Sequence, residues 1–179
     1  MLGVSVIREL SERDIRNYMK ISKRFLKAIL KNHTILMQGG GNFGDIWRGC
    51  TKLRNSIIRL FPNHKIIMLP QTINYRNKNL FKLDNKVYSS ALDLTIMTRS
   101  LESFNSSRKM FPTVRSVLMP DLAFMIGDVK PINKPKVNIL VLRRTDKETR
   151  FKSDRWESLL EEKCGEKCSF LVSYILRKL

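Results

Sequence analysis

The sequence is short of cysteine, glycine, proline and acid. Three cysteines among 179 residues are too few, and odd in number, for a disulfide framework. Cys164 and Cys168 lack a second ligand pair, and a structural zinc needs four ligands, so no metal site is expected. Eight glycines and six prolines exclude collagen and Pro/Gly-rich low-complexity chains, and the composition is not that of a coiled coil. No apolar run reaches the roughly 18 residues of a membrane helix. The opening segment, MLGVSVIRELSERD, turns charged at once and does not read as a secretory signal. A reducing compartment, the cytoplasm, is the default expectation. The Golgi is the alternative if an anchor lies upstream.

Acid is the most telling shortage. There are 16 Asp and Glu against 34 Lys and Arg, giving a net charge of +18 and a pI near 10.2. Such a surface attracts anions: nucleic acid, acidic lipid, phosphorylated metabolites or acidic polysaccharide. The nucleic-acid reading rests on charge alone, because no helix-turn-helix or RNA-binding aromatic motif accompanies it, and no specific nucleic-acid partner is expected. From residue 46 to residue 83 there is no Asp or Glu at all. The same window holds Arg48, Arg54, Arg59, Arg76 and four lysines. Most of these are expected on solvated faces.

Short apolar runs alternate with helical periodicity. Residues 11–31 predict a helix capped by Ser11, followed by a strand at Thr34–Gln38. A helix from Asp45 to Phe61 leads to a strand at Lys65–Leu69, stopped by Pro70. Residues 78–91 predict a weak helix, Asp93–Thr98 a strand, Ser103–Met110 a helix and Val114–Met119 a strand. Val137–Leu142 predicts a fifth strand and Trp156–Glu162 a helix. Residues 127–136 read as a polar linker. This alternation predicts an α/β fold, a Rossmann-like parallel sheet with helices on both faces.

Ligands of such sheets bind at the carboxyl ends of the strands. Every notable motif falls there. Gly39–Asp45 (GGGNFGD) reads as a strand-to-helix turn whose glycines let backbone amides approach an anion, with Asp45 capping the helix. It fits G-x-G-x-x-G, but the acid expected about 20 residues later for a ribose is missing. An NADP-dependent oxidoreductase using Arg76 stays open as an alternative. Arg99 ends a strand, where it can hold a carboxylate or phosphate or pair with Glu102 or Asp121. Arg143 and Arg144, with Asp146 and Glu148, read as an anion clamp beside a possible acid or base. His33 and His64 precede strands, at the opposite end of the sheet, and are read as structural.

Taken in order, these motifs resemble the polysaccharide pyruvyl transferases. The resemblance is carried by GGGNFGDIW (Gly39–Trp47), FPNHKIIMLPQTI (Phe61–Ile73), TRSLES (Thr98–Ser103, with Arg99 and Ser103 in the matching places), MPDLAF (Met119–Phe124) and LRRTDKE (Leu142–Glu148). It covers residues 33–150. It implies one lobe of a two-lobed GT-B-like fold. The implied activity moves the enolpyruvyl unit of phosphoenolpyruvate onto a sugar, forming a pyruvate ketal and releasing phosphate. Phosphoenolpyruvate is then the donor substrate, a carbohydrate the acceptor, and no separate cofactor is implied.

The chemistry of such a donor suggests roles for these residues. A compact, highly charged anion calls for backbone donors and arginines, so Gly40, Gly41, Asn42, Arg99, Ser103, Arg143 and Arg144 are the donor-binding candidates. Protonation of the methylene carbon and deprotonation of hydroxyls need an acid and a base, for which Asp45, Asp121 and Glu148 are the candidates. The family's second-lobe Arg-Leu-His motif has no counterpart here. Residues 1–150 are therefore read as a first lobe, and 151–179 as a truncated or divergent segment. A chain that binds anion or glycan without catalysis is the alternative expectation.

Overall fold

The computed structural model describes residues 9–21, 24, 28, 33–128, 130, 139–144, 162 and 168–173. The chain divides into two compact units, residues 1–126 and 127–179.

The first unit opens with α1 (Glu12–Ile21). Ser11 caps it as expected: its Oγ accepts from the Asp14 amide at 3.2 Å, and Asp14 Oδ2 accepts from the Ser11 amide at 3.0 Å. This reciprocal box satisfies two otherwise orphaned donors. There follow β1 (Ile35–Met37), β2 (Gly40–Gly44), α2 (Arg48–Leu60), β3 (Lys65–Asn74), α3 (Lys78–Tyr88), β4 (Asp93–Thr98), α4 (Leu101–Met110), β5 (Arg115–Leu118) and a 3-10 turn at Leu122–Ile126. The strands make one parallel sheet in the order β1-β3-β4-β5, with β2 also on β3. This is the expected α/β, Rossmann-like arrangement.

β1 and β2 together act as one interrupted edge strand. Ile35–Met37 pair with Ile66–Met68, and Gly40–Gly44 pair with Gln71–Asn74. Two expectations fail here. The glycine run is a strand, not a turn into a helix, and α2 begins only at Arg48. Pro70 does not stop β3, which continues to Asn74. Its missing N–H falls where the pairing with β4 slips, between Met68 and Gln71, so no ladder bond is lost there. The slip also exchanges the faces of β3. Ile66 and Met68 belong to the core before it, whereas Gln71 is buried and Ile73 packs on the core after it.

The core lies between that face and α2, α3 and α4. Phe43, Tyr88 and Phe111 form its aromatic centre, with ring centroids 5.2–5.9 Å apart. Tyr75 and Phe81 extend it. The aromatic of the glycine motif is thus a core residue. Asn77 caps α3 through two backbone amides, and Ser100 caps α4.

The second unit contains β6 (Ile139–Arg144) and β7 (Cys168–Ser173), paired in parallel. Residues 156–161 of the helix expected at Trp156–Glu162 and most of the linker expected at 127–136 lie outside the described residues. Among the described residues no helix is long and apolar enough to cross a membrane.

Candidate functional site

Gly44 and Asp45 end β2 against the last residue of β3. Gly44 has φ +134°, and a Cβ there would lie 1.7 Å from the Asn74 carbonyl oxygen. Only glycine allows the two backbones to approach this closely. The same approach lets the Asp45 amide bond the Asn74 carbonyl at 3.2 Å. Asp45 does not cap α2. Its Oδ2 accepts from the amides of Arg76 and Asn77 at 2.7 and 2.6 Å. It therefore fixes the loop between β3 and α3. Gly40 sits in β2 opposite Gln71 with φ +121°, and Gly41 is exposed beside it. The nucleotide fingerprint needs a glycine turn opening directly into a helix, and that geometry is not formed here.

Arg99 follows β4 and lies about one-third exposed. Its Nε donates to Thr72 Oγ1 at 2.6 Å, and its Nη1 pairs with Asp121 at 2.5 Å. The backbone adds to the frame, because the Arg99 amide donates to the Gln71 carbonyl at 3.1 Å. Asp121 also accepts from the Ala123 amide at 3.0 Å. That amide first, and Arg99 second, hold the Asp121 carboxyl below its ordinary value. Thr72, Arg99 and Asp121 thus bring together the carboxyl ends of β3, β4 and β5. Ser103 lies nearby but faces inward. It is buried, and its Oγ accepts from the Ile73 amide at 3.1 Å and from Ser100 Oγ at 3.0 Å.

On the other face of β3, a second polar group is buried against α2. Arg54 is only 6% exposed. Its Nη1 donates to the Asn42 carbonyl at 3.0 Å and its Nη2 to Asn42 Oδ1. Gln71 Oε1 lies 3.5 Å away, and the guanidinium carbon sits 5.4 Å from the Phe43 ring centroid. Burial pushes the Arg54 pKa down. Gln71 in turn donates to the Gln38 carbonyl at 2.5 Å, bridging the break between β1 and β2. Asn42 is therefore held as a partner of Arg54.

Deeper in, Asp84 is fully buried and accepts four bonds. Arg48 grips it with both Nη1 and Nη2, Asn55 Nδ2 donates at 2.6 Å and Tyr75 Oη at 2.9 Å. Sequence reasoning missed this hub and Arg54, because both arginines sat among cations expected to be solvated. A signal was present: Arg48, Thr51, Asn55 and Ile58 recur on one face of α2, and Asp84 is the first acid after the acid-free window.

The remaining candidates are less complete. Arg143 and Arg144 end β6 in the second unit, paired with Val172 and Ser173. Glu148 lies outside the described residues. His33 and His64 stand at the amino ends of β1 and β3, away from the Arg99 group. Among the described residues no three His, Cys, Asp or Glu side chains gather so as to hold a metal ion.

The ordered motifs on this sheet find a match among known proteins. The profile described as "Polysaccharide pyruvyl transferase" matches residues 4–175, nearly the whole chain. The chain belongs to the polysaccharide pyruvyl transferase family. It is 38% identical over 117 residues to the Bacillus subtilis protein named "Putative pyruvyl transferase EpsO", covering 65% of this chain and 36% of that protein. It is 30% identical over 132 residues to pyruvyl transferase 1 of Schizosaccharomyces pombe, covering 69% and 33%. General stress protein 30 of Bacillus subtilis is 24% identical over 128 residues, covering 69% and 37%. The chain spans about a third of the length of each. The family match runs well past Glu148, where the legible motifs end.

Proposed function

We propose that this protein acts in pyruvyl ketal formation, transferring the enolpyruvyl unit of phosphoenolpyruvate to a sugar of a polysaccharide or glycan. In this reading the methylene carbon is protonated and one sugar hydroxyl adds to the neighbouring carbon. A second hydroxyl then displaces phosphate from that carbon, so that two C–O bonds form and one breaks. The two hydroxyl protons are accounted for by the new methyl group and the departing phosphate.

The observation that carries the proposal is the Thr72–Arg99–Asp121 group. A partly exposed arginine stands at the carboxyl edge of a parallel sheet, held by a hydroxyl and a carboxylate. The donor's carboxylate or phosphate can replace Asp121 on the guanidinium, since both offer the same paired oxygens. The freed Asp121 then stands beside the donor as a base for the acceptor hydroxyl. Asp45, across the edge, keeps Oδ2 on two backbone amides and serves as a second carboxylate near developing positive charge. Gly40 and Gly41 line the approach from β2, while Asn42 is held by Arg54. Arg143, Arg144 and Glu148 enter the proposal only as further charged groups. One lobe of a GT-B-like protein is the architecture that fits.

The test is phosphate release from phosphoenolpyruvate in the presence of purified bacterial or fungal glycans. The expected result is release that depends on both donor and acceptor, with an acid-labile ketal on the glycan, lost in Arg99→Ala. Donor binding without release under every acceptor condition would leave a non-catalytic anion-binding protein instead.

A further inference from the structure

We propose that the cleft between α1, β1 and α2 is a binding site for a compact monocarboxylate, with Arg54 as its counter-charge. The cleft measures about 240 Å³ and is lined by Ile35, Leu53 and Ile57 on its apolar walls and by Gln38, Asn42 and Arg54 at its polar end. It lies within the first unit.

The charge balance singles out this place. A buried guanidinium stays protonated, and a buried charge is normally paired. Among the described residues Arg54 has only neutral acceptors: the Asn42 carbonyl, Asn42 Oδ1 and Gln71 Oε1. The buried carboxylate of Asp84 is already engaged by Arg48, Asn55 and Tyr75. The Phe43 ring softens the charge but does not cancel it. One positive charge therefore stands at the end of an open, mostly apolar cleft. Burying such a charge in an interior without an anion is costly, and an anion entering the cleft relieves that cost.

The shape of the cleft selects the anion. A single guanidinium neutralises one charge, so a phosphate dianion would leave a second charge against Leu53 and Ile57 with nothing to pair it. A carboxylate carries the one charge needed and can accept from the guanidinium N–H groups that Asn42 and Gln71 leave over, and a short apolar body matches the walls. The volume falls below the roughly 300–1,000 Å³ of sites for larger ligands, which limits that body to a few carbons.

This site is separate from the Arg99 group. Gln71 and Thr72 are consecutive in β3, and their side chains leave opposite faces. Gln71 reaches Arg54, and Thr72 holds Arg99. The inference does not rest on the proposed transfer reaction.

Cys50 lines the same cleft and supplies the readout. Butyrate, its neutral isostere butyramide and inorganic phosphate are titrated while alkylation of Cys50 by iodoacetamide is followed by peptide mass spectrometry. Butyrate is expected to slow alkylation roughly tenfold at ten times its dissociation constant and to raise the melting temperature. Butyramide and phosphate are expected to do neither. Arg54→Met and Leu53→Trp should each lose the butyrate effect, and Arg99→Ala should keep it. Equal protection by butyramide overturns the role of charge. Equal protection by phosphate reduces the site to general attraction by a basic surface and overturns it too. Retained protection in Arg54→Met overturns the proposal directly. Should that variant fail to fold, retained protection in Leu53→Trp does so.

Discussion

Gly44 and two tyrosines packed in or against the core show how single residues set this structure. Gly44 brings the end of β2 onto the backbone of Asn74, and no other residue fits there. Gly44→Ala adds a steric clash to the ~1–3 kcal/mol of a disfavoured backbone. Its expected loss of stability therefore exceeds that range in urea unfolding, while Gly41→Ala, at an exposed position, stays within about 1 kcal/mol. Tyr75 and Tyr88 are pushed above the ordinary tyrosine pKa of 10, chiefly by burial. The native state thus keeps protons that the unfolded chain releases near pH 10. Their contribution to stability is complete below pH 10 and falls as pH rises beyond it. In an alkaline titration followed by tyrosinate absorbance, two of the four tyrosines should ionise only as the fold is lost. Smooth ionisation of all four near pH 10, with the fold intact, would contradict their burial.

At the scale of elements, the parallel sheet was legible because its strands are short apolar runs between polar helices. Asp93–Thr98 has the expected bounds, and Ser11 caps α1 as its sequence suggests. The glycine run and Pro70 misled for a shared reason. Each is a breaker in isolation, and each is tolerated where β1 gives way to β2 and β3 slips its register. That irregularity is a tertiary event with no local signature. The Asp84 hub was invisible for a different reason: an ion pair 36 residues apart joins α2 to α3, and periodicity does not specify partners. Asp84→Asn should destabilise by about 3 kcal/mol, the low end for a broken buried pair, because Arg48 keeps 24% of its side chain open. Chemical denaturation measures this. A change below about 0.5 kcal/mol would mean that the packing of α2 on α3 does not depend on the pair.

For the whole molecule, the distribution of charge matters more than its sum. The excess of 18 positive charges predicts attraction of anions in general, but the fold uses its arginines in distinct ways. Arg48 closes a structural ion pair, Arg54 is buried among neutral acceptors, and Arg99 stands at the sheet edge paired with a partly exposed Asp121. The candidate site was partly legible: Arg99 and Asp121 were singled out from their places after strands, and the structure joins them. Asp45 and Ser103 were singled out too, yet they take part in holding the backbone. Chemistry-bearing residue types at strand ends also hold backbone, and residue type alone does not show which positions do so.

The central claim is that the carboxyl edge around Arg99 is the donor site. A thermal-shift titration with phosphoenolpyruvate tests it most directly, with inorganic phosphate as control and the Arg99→Ala chain beside the native one. A saturable shift is expected that phosphate does not reproduce, about 2.7 kcal/mol of stabilisation at a hundredfold excess over the dissociation constant. Arg99→Ala should weaken binding ten- to hundredfold, the effect of losing about 1.5–3 kcal/mol of charged hydrogen bonding. A shift that phosphate matches, or one that survives the Arg99 substitution unchanged, would contradict the claim.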